Sequence, residues 1–306
     1  TGVFDSYIEN KFAAKMAEIG ITFSADKFKV SASPLMLELR NATFNNTATG
    51  DKLFFIREAK LGLTVLDLLS WSASRDVRID TTDINGGEAW ITFDKDGRSN
   101  FSGLHLVEDQ AGSAVNFRYE SVLVSIKDSV IHFGDLSRKI EANANELSVA
   151  LTPDKVETLS NALRFKFDVN ARNSNFAYGE GRAENISILA KGVADNTHAE
   201  VSDLQISSPF GDTFISGTIT DWAHPRYDLN AESSLDLTQL SQTFSTGTAL
   251  RGVGNFKGKI TGEGENYRVE GTASSEAFRA AGVYLKGANI AATVEGTNSN
   301  YTANGT

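Results

Sequence analysis

Successive side chains of an extended chain point to opposite faces. A run that alternates apolar and polar residues is therefore stable as a strand with one greasy and one wet side. Beyond Gly20 that alternation dominates this sequence. The cleanest run sets Tyr227, Leu229, Ala231, Ser233, Leu235 and Leu237 on one side, and Arg226, Asp228, Asn230, Glu232, Ser234 and Asp236 on the other. Gly, Asn and Asp turns separate the strands. Little else has the period of a helix that could cover the apolar side. The chain is expected to be mainly β, and what covers its apolar face becomes the main question about function.

Composition narrows the classes. Of 306 residues, 41% are apolar and 22% charged, an ordinary globular balance with enough chain for one large or two medium domains. The net charge of −10, with Lys and Arg scattered, argues against nucleic acid and against docking on anionic lipid heads. Cysteine is absent, which excludes disulfides, zinc-thiolate sites and a cysteine nucleophile. That absence fits a reducing cytosol or a periplasmic protein equally. No apolar run reaches the ~20 residues of a membrane span. The sequence opens mid-helix and stops mid-pattern at Tyr301–Thr306, and is read as a piece of a longer protein.

Residues 3–19 form one amphipathic helix: Val3, Phe4, Tyr7, Ile8, Phe12, Met16 and Ile19 make a single stripe, and Gly20 suits a left-handed stop. Strands are expected at Ile21–Ser31, Leu35–Phe44 and Leu53–Val65, with a short helical turn at Leu66–Ser70. Val77–Thr81 and Ala89–Phe93 are expected to be joined as a hairpin through Asn85-Gly86-Gly87. A polar loop covers 105–115. Further strands fall at Asn116–Ile126, Val130–Phe133 and Ile140–Leu151. Thr152–Lys155 reads as a turn that subdivides the chain. Leu159–Ala171 reads as a long strand, although 154–163 also fits a helix, and shorter strands fill 176–294. Leu61–Leu66 echoes Leu235–Leu240, each a strand that turns into a short helical segment. Gly217–Leu229 echoes Gly258–Val269. Both echoes suggest strand pairs added serially.

Chemistry-bearing motifs are missing. His105, His132, His198 and His224 have no metal-ligand spacing, and Asp94-Lys95-Asp96-Gly97 lacks the distal ligands of a calcium loop, so it reads as a turn. Glu263 and Glu265 read as solvated turn residues. Trp71, Trp90 and Trp222 are too dispersed for a sugar platform. An enzyme or a carbohydrate-binding solenoid is disfavoured, and no cofactor or metal is expected. An apolar sheet face without helices must meet either its own opposite wall or something apolar from outside. At ~0.8 kcal/mol per buried CH₂, a palmitoyl-length chain gains on the order of 12 kcal/mol in such a groove.

Several segments carry a family resemblance. Gly20–Phe23, Leu35–Ala42, Ala59–Leu69 and Ala89–Phe101 resemble the N-terminal region of the AsmA/TamB-like proteins. Val124–Ile131 with Glu146–Leu151, and then Gly217–Leu240, are similar to its following blocks. The resemblance implies an inner-membrane anchor preceding Thr1, with the helix at 1–20 capping the groove. It implies an elongated, curled antiparallel β-sheet, taco-shaped in the periplasm of diderm bacteria, with a first segment at 21–151 and a continuing one at 152–306. It further implies phospholipid acyl chains as cargo in envelope biogenesis. The alternative role is a scaffold for outer-membrane protein assembly, acting through exposed strand edges. The candidate lining residues are Leu61, Leu63, Ile91, Phe93, Phe165, Phe167, Leu229, Leu235, Ile260 and Val269. Phe4, Ile8, Phe12 and Met16 are the candidate cap. Each could equally be ordinary core.

Overall fold

The computed structural model describes residues 2–65, 75–105, 115–154, 163–222, 224–245, 250–264, 266–280, 283–297 and 300–306. The chain is mainly β, 72% strand, in mixed but mostly antiparallel pairing, with two helices among the described residues. The chain divides into two compact units, Thr1–Pro153 and Asp154–Thr306.

The first unit begins with α1 (Gly2–Glu18) and continues through β1 (Ile21–Ser24), β2 (Lys27–Ala32), β3 (Leu35–Asn46), β4 (Lys52–Val65) and β5 (Arg75–Phe93). It ends with β6 (Val115–Arg118), β7 (Leu123–Asp135) and β8 (Ile140–Pro153). Gly20 takes φ +85° and stops the helix, which packs on β1 and β2. Ile8 and Phe12 lie against a cluster of Phe28, Leu39, Ala42 and Ala59. The Phe12 ring meets Phe23 edge-on at 4.8 Å. Tyr7, placed on the same stripe by its spacing, is 58% exposed. The side chain of Phe4 lies outside the described residues. Asp5 Oδ1 accepts a hydrogen bond from the Val30 amide at 3.1 Å, which satisfies a donor that β2 turns away from β3.

Three expectations fail here. Asn85-Gly86-Gly87 is no hairpin: β5 runs through it without turning back. A two-residue type I′ turn needs positive φ at both central residues, and only Gly86 has it, at +70°. The sheet is also not purely antiparallel, because β5 pairs in parallel with both β6 and β7. A parallel partner needs a long connection, which residues 94–122 supply. Likewise β7 does not break near Asp128. The segments expected at 66–70, and most of the loop at 105–115, lie outside the described residues.

The second unit comprises β9 (Arg164–Tyr178), β10 (Gly181–Asp195), β11 (His198–Ser208), β12 (Gly211–Thr220), β13 (Arg226–Asp236) and α2 (Leu237–Phe244). It continues through β14 (Val253–Glu263), β15 (Asn266–Ala280), β16 (Val283–Gly296) and β17 (Tyr301–Gly305). Its strands form an antiparallel meander, each pairing with the next. The strand expected from Leu159 begins, among described residues, at Arg164 and runs on to Tyr178. Leu237, expected on the apolar face of β13, instead opens α2. Asp236 caps that helix by accepting from the Thr238 and Gln239 amides. The bond from the Gln239 amide is the main reason its carboxyl sits below the usual range. On the wet face, cross-strand ion pairs join Lys259 to Asp228 at 2.8 Å and Arg226 to Glu263 at 2.8 Å.

Candidate functional site

The geometry of the apolar face comes from a slip in the alternation. In β3, Asn41 takes φ +47°; in β5, Gly86 takes +70°; in β7, Asp128 takes +48°; in β8, Glu146 takes +45°. A left-handed residue inside a strand breaks the period of two, so residues i−2 and i+1 come to the same side. Leu39 and Ala42 are thus both buried, at 4% and 0% exposure. Ile84 and Gly87, and Ile126 and Ser129, are related in the same way. Pairing continues on either side of the slips: Arg40 opposes Glu58 and Ala42 opposes Ile56 of β4, and the same two β4 residues oppose Asn85 and Gly87 of β5. Asn85 and Glu88 flank Gly86 opposite Lys127 and Val130. Hydrogen bonds hold the crease, with Asn41 Nδ2 donating to Asp26 at 2.8 Å and the Gly87 amide donating to Ser129 Oγ at 2.9 Å. The second unit repeats the device at Asn173 (φ +50°) and Asn185 (φ +57°).

Three of the slips share a local sequence pattern. Arg40-Asn41-Ala42, Lys127-Asp128-Ser129 and Arg172-Asn173-Ser174 share a basic residue, an Asn or Asp, and a small buried residue. Asn and Asp are the non-glycine residues that best tolerate the left-handed region. Ser129 Oγ donates to the Lys127 carbonyl, and Ser174 Oγ to the Arg172 carbonyl, an identical i to i−2 bond.

In the first unit the crease borders an apolar groove of about 380 Å³. Phe44, Phe54, Ile56, Ile84, Ala89, Ile126, Ile131, Leu147 and Val149 are among the residues that line it, with Glu88 and Ser129 its polar members, and the surface it presents is apolar. Leu61 belongs instead to the core cluster beneath α1. Leu63 is half-buried near the end of β4, opposite Ile79. Ile91 and Phe93 extend the side of β5 that carries Ala89. Ile91 is 36% exposed, and Phe93 packs on Phe133 at 6.1 Å. Met16 is half-buried on α1.

In the second unit the register brings four candidates into one line. The row runs Phe167, Gly192, Val201, Gly217, Leu229, Ile260, Val269, Val294 and Ala303, one residue from each of nine strands. Every member is glycine or apolar, and every one but the exposed Ala303 is half-buried. Two rows beside it, through Phe165 and through Val169, are also free of charged, amide or Ser/Thr side chains. Eight spacings of about 4.8 Å make the stripe roughly 38 Å long. The Phe167 ring lies over Gly192, where a Cβ would approach it to 2.6 Å. Leu235 stands apart from this stripe: it opposes Gly254, over which Leu237 of α2 packs. Near that end Phe244 of α2 also packs on Phe176 and Phe210.

Among the described residues no group of three or more His, Asp or Glu side chains could hold a metal, and no helix is long and apolar enough to cross a membrane. No family model matches the chain, and no curated protein matches it.

Proposed function

We propose that this protein shelters acyl chains on its apolar sheet faces and serves phospholipid transport between the membranes of a diderm envelope. One observation carries the reading: a nine-strand row without a polar side chain, partly exposed along almost its whole length. Sheets that serve only as walls of a core cover such a row. Leaving part of it exposed to water is unfavourable by about 25 cal/mol per Å² of apolar surface. An acyl chain lying along the stripe removes that exposure and loses its own. The apolar groove of the first unit supports the same occupant, since the surface it presents is apolar and only Glu88 and Ser129 of its lining residues carry polar side chains. The resemblance to AsmA/TamB-like proteins supports a periplasmic setting, with an inner-membrane anchor in sequence preceding this chain, and a curled β-groove as the common architecture.

Native mass spectrometry of the protein purified from bacteria without detergent, followed by solvent extraction, tests this. The expected result is added mass that extraction identifies as phospholipid. A bare protein mass with no extractable lipid overturns the reading.

A further inference from the structure

The groove of the first unit has two unlike ends. Toward β8 it is lined by Leu147 and Val149, which are aliphatic. Toward β3 and β4 it stops at Phe44 and Phe54, whose rings meet edge to face at 6.5 Å. This pair is backed from both sides. Phe44 packs on Phe23 at 5.1 Å, and Phe54 packs on Phe101 at 5.7 Å. Phe101 is held in place by its buried neighbour Asn100, whose Oδ1 accepts from the Thr92 amide and whose Nδ2 donates to the Lys52 and Trp90 carbonyls. Between the two ends Gly87 and Ala89 alternate with the larger Ile84, Ile126 and Ile131. Phe54 is 37% exposed, so its ring is reachable from the groove.

We infer that Phe54 ends the groove and measures the chain that occupies it. The acyl chain lies across the strands, its methyl end against Phe54 and Phe44, its polar end toward β8. Backed by Phe23 and Phe101, the wall of Phe44 and Phe54 leaves no way through for a headgroup, whereas a terminal methyl loses nothing against the rings. From β4 to β8 is three strand spacings, roughly 14 Å. This inference rests on the acyl-binding reading above and adds a direction and a length limit to it.

The test is a series of lysophosphatidylcholines from octanoyl to palmitoyl, titrated below their micelle concentrations against the wild type, Phe54→Ala and Phe54→Leu. Affinity of the wild type should rise about fourfold per methylene and then level off once the chain meets the wall. In Phe54→Ala the levelling should move to longer chains, with Phe54→Leu between the two. Circular dichroism and thermal melting confirm that each variant is folded. A levelling point identical in all three folded proteins overturns the assignment of Phe54, as does an affinity that never levels even when Leu229→Asp has removed the second unit's stripe. Binding of no chain by the wild type overturns instead the acyl-binding reading on which the assignment stands.

Discussion

Replacing Ile131 by Asp separates a groove from a core. Ile131 sits mid-strand in β7, half-buried, between Ala89 and Ala144, and lines the groove of the first unit. In the empty protein the new carboxylate can reach water through the open side. The folding cost is then the half-burial of one isoleucine, about 1 kcal/mol. For a unit of this size that is a fall of roughly 2–4 °C in melting temperature. With an acyl chain over it, the carboxylate is cut off from solvent without a donor, which costs about 2–3 kcal/mol or more. The lost isoleucine contact adds about 1 kcal/mol. Together these weaken binding by roughly 300-fold, at 1.4 kcal/mol per tenfold. The assay is titration with a fluorescent fatty acid in a Leu229→Asp background, which takes the second unit's stripe out of the reading, beside Thr92→Asp on the exposed side of β5 as control. A folded Ile131→Asp protein that binds as the wild type does would refute the argument. So would a protein that unfolds outright, because that is the behaviour of a sealed core.

Four further outcomes follow from other parts of the molecule. Asn100→Asp keeps the shape but removes the donors to the Lys52 and Trp90 carbonyls, so urea unfolding should show a loss of about 2–4 kcal/mol. Asn173→Gly should be close to neutral, whereas Asn173→Val puts a β-branched residue at φ +50° and should lower stability by about 1–2 kcal/mol in the same assay. Gly181→Ala would set a Cβ 2.5 Å from the Thr243 carbonyl oxygen and 2.9 Å from the Phe244 backbone, so α2 should lift from β10, read as faster amide exchange in residues 237–244. Burial pushes the Asp195 carboxyl up, but bonds from Thr197 and from the His198 amide outweigh it and hold it below the usual range. Its contribution to stability is therefore full above the ordinary carboxylate pKa of about 3.9 and is lost as pH falls through the lower folded value. Acid unfolding of Asp195→Asn should show a shallower dependence on pH in that window.

Much of this architecture follows from the sequence alone. Period-two alternation marks β13 and its wet face of Asp228, Asn230 and Glu232, and the helical spacing of Ile8, Phe12 and Met16 marks α1, because both periods are local properties of the backbone. Gly20 and the Asp94–Gly97 turn are likewise settled by conformations few other residues adopt. Other features needed the fold. The glycine at 86 favours a left-handed conformation in a hairpin or in a crease, and only the partners on either side of β5 decide between them. The same holds for Asn41, Asp128 and Asn173, where the phase of alternation changes within a strand that continues. Alternation tells each strand which residues share a side, but not which residue of the next strand lies opposite. That register is non-local, and it alone lines up Phe167, Leu229, Ile260 and Val269 while sending Leu61 into the core beneath α1 and Leu235 toward α2.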